Sequence, residues 1–124
     1  MSKFNSVLWM NDDITNIKSI LDLFKTNKIS CDIAIDSSEA IKFLENKEYD
    51  LIISNMSNVD SSGYRPIAGL LFLQRVIELD YEIPFILYCS KDEAQTNKDV
   101  AFELGAKSVI YSEEKLLKIL GLGK

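Results

Sequence analysis

Ser6-Val-Leu-Trp-Met-Asn-Asp-Asp13 decides how this chain is read. Residues 7–10 are uninterrupted apolar side chains, a composition that suits a strand buried on both faces, and the run stops at three polar residues. A helix is expected at once. Ile14, Ile17, Leu21 and Phe24 recur at helical spacing and line up one apolar stripe over residues 13–26.

The same unit repeats downstream. Residues 29–35 have strand composition, and Asp36-Ser-Ser-Glu39 supplies an N-cap with an acidic residue three positions on, opening a helix through Ala40, Ile41 and Leu44. Tyr49-Asp-Leu-Ile-Ile-Ser-Asn55 reads as a second buried strand ending in an amide. Residues 56–65 read as one long polar loop with Ser61-Ser62-Gly63 at its centre, and Pro66 suits the first position of a helix carrying Leu70, Leu73 and Ile77. Residues 83–89 form a fourth strand, with Pro84 confined to its start. A helix over 92–104 should end at Gly105, followed by a short strand over 107–111 and a closing helix. Five strands alternating with helices imply an α/β domain: a mostly parallel sheet covered on both faces by right-handed crossovers.

Composition narrows the function. The chain has 124 residues, 47% of them hydrophobic, enough for one domain spanning 1–124 with a core that needs neither disulfide nor metal. No apolar run approaches the roughly 18 residues of a membrane span, and the first residues lack a secretory apolar stretch, so a cytoplasmic location is expected. A net charge of -5 disfavours nucleic acid and anionic membrane as partners. With 0 histidines, the usual general base and the Ser-His and Cys-His nucleophile arrangements are absent. Cys31 and Cys89 lack metal or redox spacing and read as reduced core thiols. Trp9 reads as core, whereas Leu116, Leu117, Ile119 and Leu120 are too apolar to all face inward and offer an interaction surface, including a homodimer contact.

In open parallel sheets, ligands bind beyond the carboxyl ends of the strands. Asn11 to Asp13, Asn55 to Ser57, Cys89 with Ser90, and Ser112 follow strands one, three, four and five, so they should converge at one edge.

On Val7-Leu-Trp-Met-Asn-Asp-Asp13, Tyr49-Asp-Leu-Ile-Ile-Ser-Asn55, Ile83-Pro-Phe-Ile86 and Glu103-Leu-Gly-Ala106, the chain resembles the receiver domains of bacterial two-component response regulators over nearly its whole length. The resemblance implies a flavodoxin-like (CheY-like) three-layer sandwich with a five-stranded parallel sheet in the order 2-1-3-4-5. It also implies Mg²⁺ at an acidic pair after strand one, which offsets like-charge repulsion when an aspartate ending strand three takes a phosphoryl group.

Position by position, the resemblance places the acidic pair at Asn11 and Asp12, with Asp13 either compensating or serving the helix dipole. The phosphoacceptor falls on Asn55, whose amide oxygen is a poor nucleophile. Asn55 also reads as a loop cap. The backbone carbonyl of Ser57 is a further metal ligand in this scheme. The phosphate-sensing hydroxyl falls on Cys89, with Ser90 one residue away, and the switch aromatic falls on Val109, with Tyr111 displaced by two. The phosphate-pairing lysine falls on Ser112, which reads equally as a helix N-cap. This pattern implies a pseudo-receiver: non-enzymatic, independent of phosphorylation, requiring no cofactor and binding Mg²⁺ weakly at most. It would bind a signalling kinase or effector through the face of the fourth helix, fifth strand and fifth helix. Two alternatives stand beside it. One is an atypical phosphoacceptor using Ser54 or Ser57; the other is a flavin or nucleotide enzyme on the same fold, which the carboxylates after strand one disfavour.

Overall fold

The computed structural model describes residues 4–60 and 63–122. Among them, five strands form one parallel sheet: β1 (Ser6–Met10), β2 (Ser30–Ala34), β3 (Leu51–Ser54), β6 (Phe85–Tyr88) and β7 (Ser108–Ile110). Their order is β2-β1-β3-β6-β7, the expected 2-1-3-4-5 once the two short strands that intervene in sequence are set aside. Five helices connect them: α1 (Lys18–Thr26), α2 (Ser37–Asn46), α3 (Ala68–Glu78), α4 (Lys91–Leu104) and α5 (Glu113–Leu120).

The alternation of a strand places successive side chains on opposite faces, and β1 uses both. Leu8 and Met10 enter a core with Ile52, Leu87, Phe72 and Phe85, on the side of α2, α3 and α4. Val7 and Trp9 enter a second core with Ile53, Ile86, Phe24 and Leu116, on the side of α1 and α5. All four of these β1 side chains are fully buried, which is why the run lacks an alternating pattern.

Several caps fall where the sequence puts them. Asp36 accepts from the backbone N–H of Glu39 at 2.9 Å, and Glu39 reaches back to the N–H of Ile35 at 3.1 Å. Gly105 ends α4 at φ 115°, in the left-handed region that favours glycine.

Other expectations need correction. The helix after β1 starts with a 3-10 turn over Ile14–Ile17, and α1 proper begins at Lys18. Ile14 is exposed and Leu21 only half-buried, because the change of pitch rotates the stripe onto Ile17, Ile20 and Phe24. In α3 the buried stripe is Leu70, Leu73 and Val76, leaving Ile77 exposed. Pro66 lies in the turn before α3, not at its first position.

The 56–65 segment is not an irregular loop. It contains an antiparallel ribbon of β4 (Asn58–Asp60) and β5 (Gly63–Arg65), with Val59 opposite Tyr64. Ser61 and Ser62 lie outside the described residues. The β-formers Val59 and Tyr64 are outnumbered by polar neighbours, which masked a hairpin whose Gly63 takes φ 115°.

Candidate functional site at the carboxyl edge of the sheet

The backbone ladder continues past each strand end and sets the site residues in place. The N–H of Asn11 donates to the carbonyl of Ala34 at 2.8 Å, that of Asn55 to Met10 at 3.1 Å, and that of Cys89 to Ile110 at 3.0 Å. Asn11, Asn55 and Cys89 therefore leave the sheet side by side.

Asp12 is the hub. Its Oδ1 accepts from Asn55 Nδ2 at 3.1 Å, and its Oδ2 accepts from the backbone N–H of Val59 on β4 at 2.7 Å. One carboxylate thus ties β1, the end of β3 and the hairpin together. Asn11 is buried, and its Oδ1 accepts from the N–H of Asp13 at 2.8 Å, bending the chain so that Asp12 faces Asn55.

Asp13 caps the 3-10 turn. Its carboxylate accepts from the N–H and hydroxyl of Thr15 and from Asn16 Nδ2. The helix-start reading of Asp13 describes these contacts.

Asn55 presents a donor, Nδ2, to Asp12, while its Oδ1 is buried without a hydrogen-bond partner. Ser54 is fully buried, and its hydroxyl donates to the carbonyl of Asn55 at 2.7 Å. Below this carbonyl lies Gly69 of α3, where an added Cβ would stand 2.2 Å from Asn55 O. The Gly69 N–H donates to the carbonyl of Met56 at 2.8 Å, so α3 is pressed directly against the chain leaving β3.

Strand ends and hairpin enclose a cavity of about 320 Å³ lined by Asp12, Asp13, Asn55, Ser57, Cys89 and Ser90, and also by Asn58, Tyr64, Tyr88 and Tyr111. Ser90 lines it while serving as N-cap of α4, in a reciprocal capping box with Glu93. Burial, reinforced by the Glu93 carboxylate, pushes the Cys89 thiol up to about 12, which leaves it protonated and unreactive near neutrality. Burial, then Glu113, raises the Tyr88 hydroxyl, whose ring packs against Trp9 with centroids 6.1 Å apart.

Two of the expected positions stay out of the cavity. Val109 packs against the core on the α2–α4 side, and Ser112 caps α5 by accepting from the N–H of Lys115 at 3.3 Å. Tyr111, which follows β7, lines the cavity instead. Tyr64, Tyr88 and Asn58 are lining residues that sequence reasoning missed. Tyr64 and Asn58 lay in the supposed loop, and Tyr88 looked like one more core strand residue.

Mg²⁺ demands a near-octahedral oxygen shell, part of it retained water, anchored by one or two carboxylates. Both oxygens of Asp12 and both of Asp13 already accept hydrogen bonds, and among the described residues no group of three or more His, Cys, Asp or Glu could hold a metal. The residues present do not fit a tight Mg²⁺ centre.

Solved structures match this architecture over most of the chain. They include the receiver domain of HemR from Leptospira biflexa, at 19% identity and TM-score 0.75, covering 93% of this chain and 90% of that one. The receiver domain of Francisella response regulator 1452 matches at 21% and 0.75, covering 92% and 91%, and a two-component response regulator from Clostridium difficile at 20% and 0.73, covering 93% and 94%. The chain has the response-regulator receiver fold. No family model matches the sequence, and no curated protein does. In this receiver fold the site described above occupies the sheet edge expected for ligands, and among the described residues no helix is long and apolar enough to cross a membrane.

Proposed function

We propose that this chain is a cytoplasmic pseudo-receiver of a two-component or phosphorelay-type system. It acts as a non-enzymatic module that binds a protein without being switched by phosphorylation. The observation that carries this reading is Asn55. An amide stands where the resemblance expects the acceptor carboxylate, and its Nδ2 hydrogen-bonds the one retained carboxylate, Asp12. An amide oxygen cannot form an acyl phosphate. No cofactor is required, and Mg²⁺ binding through Asp12 is weak.

The partner, a signalling kinase or effector, docks on the α4-β7-α5 face. Phe102 of α4 and Tyr111 after β7 are exposed, and Leu117 and Ile119 of α5 are half-buried, which supports an apolar contact there for a partner or a second copy.

Incubation with acetyl phosphate and Mg²⁺, read by intact mass beside Asn55→Asp, tests the reading. The parent should remain unlabelled. A stable phosphoryl adduct on the parent overturns it.

A further inference from the structure

The site cavity has a one-sided chemistry. Asp12 and Asp13 line it, and among the described residues no lysine or arginine does. Asn58 lines it too. It is 2% exposed and donates Nδ2 to the carbonyl of Ile35 at 2.8 Å, while its Oδ1 has no hydrogen-bond partner. A buried acceptor left unpaired is costly, and this one belongs to a lining residue of a cavity that already carries two carboxylates. Three tyrosines, Tyr64, Tyr88 and Tyr111, complete the walls; Tyr64 is 67% and Tyr111 46% exposed, so both stay reachable from solvent.

Carboxylates and aromatic rings without a counter-cation attract positive charge, and the type of cation follows from the geometry. Mg²⁺ dehydrates reluctantly and demands near-ideal octahedral geometry, which two carboxylates already held by hydrogen bonds are poorly placed to give. A guanidinium is weakly hydrated, stacks on aromatic rings, and gains from nearby carboxylates without stripping their existing hydrogen bonds. We propose that the cavity at the carboxyl edge of the sheet is a socket for a basic side chain, an arginine before a lysine, presented by a partner protein. This rests on the reading of the chain as a protein-binding module and adds a second, charge-selective contact to it.

The test is a titration of the ¹⁵N-labelled full chain at low salt with N-acetyl-arginine amide, N-acetyl-lysine amide and the neutral N-acetyl-glutamine amide, with MgCl₂ as a separate arm. Saturable shifts at the amides of Asp12, Asp13, Val59 and Tyr111 are expected with arginine, weaker ones with lysine, and none with glutamine. Asp13→Asn keeps an N-cap of equal quality while removing a charge, and Tyr111→Ala removes an exposed ring. Each should weaken arginine binding roughly two- to fivefold, as loss of one partly solvated contact does. Equal shifts from glutamine, saturation by Mg²⁺ but not arginine, or unchanged affinity in Asp13→Asn overturns the proposal. Labelling by acetyl phosphate in a protein that still binds arginine would sink the phosphorylation-independent reading and leave the socket standing.

Discussion

Asn55 and Asp12 form a neutral donor–anion pair across the sheet edge, with Nδ2 lying 3.1 Å from Oδ1. An amide satisfies the neighbouring carboxylate where a second carboxylate would repel it. That complementarity pairs the two groups without like-charge repulsion.

Asn55→Asp should therefore cost about 1–3 kcal/mol at pH 7, since a hydrogen bond is replaced by facing charges. The repulsion raises the carboxyl pKa in the folded variant. The sign follows: the folded variant holds a proton more tightly than the unfolded one, so the deficit is full above the raised pKa and shrinks as pH falls through it. Urea melts at pH 7 and pH 5 check this, with the gap from the parent narrowing at the lower pH. Added Mg²⁺ should stabilise the variant more than the parent.

Asp12→Ala removes the acceptor for the Val59 N–H, which is held at 2.7 Å. Hydrogen exchange should then accelerate at Val59 and Tyr64, while the amides of β1 and β3 keep most of their protection. The global loss should be about 1–2 kcal/mol. Unchanged exchange in the ribbon would show that Asp12 does not hold it.

Gly69→Ala tests the pressing of α3 against the chain leaving β3. Its Cβ would meet Asn55 O at 2.2 Å and Leu87 Cδ2 at 2.7 Å, and the carbonyl is backbone that cannot swing aside. A loss of about 2 kcal/mol or more is expected in chemical denaturation, despite the higher helix propensity of alanine.

The thiols should be sluggish. Burial, with smaller help from Asp32, pushes Cys31 up to about 12, and Cys89 is raised to about 12 likewise. At pH 8 both should react with iodoacetamide at least about tenfold more slowly than free cysteine, and only unfolding should remove the protection.

On the far side of the sheet, Asp32 accepts from the Tyr49 hydroxyl at 2.6 Å and from Lys47 Nζ at 2.9 Å. The tyrosine hydrogen bond first, and the lysine after it, lower the Asp32 carboxyl below its ordinary value. Tyr49→Phe should raise it back toward that value, followed by NMR titration. A lowered carboxylate stabilises the fold above its unfolded pKa of about 3.9 and ceases to as pH falls through the lower folded value. The parent's advantage over Tyr49→Phe should therefore vanish in acid.

The order of elements and the edge at which the site forms were legible because they rest on local signals: the apolar run into Asn11, the cap at Asp36, the glycine at 105 and the hydroxyl at Ser112. The hairpin, Gly69 and the double tie of Asp12 were not. Val59 lies 47 positions from Asp12 and Asn55 lies 43, and such a contact leaves no trace in the spacing of either residue's neighbours. Gly69 illustrates the same limit. Within its helix it looks like a weak helix former, and only the carbonyl of Asn55 beneath it explains its presence. The stripe residue Ile14 failed for another reason, since the 3-10 turn over Ile14–Ile17 rotates the face by about one residue; in α3 the buried face runs through Leu70, Leu73 and Val76 and leaves Ile77 outside.

The double-sided burial of β1 bears on how the molecule comes apart. Val7 and Trp9 are keyed into one half of the interior, and Leu8 and Met10 into the other. Neither helical layer can melt without withdrawing the strand that the other is built on, so heat or urea should meet one cooperative transition, reported alike by Trp9 fluorescence and by helix content.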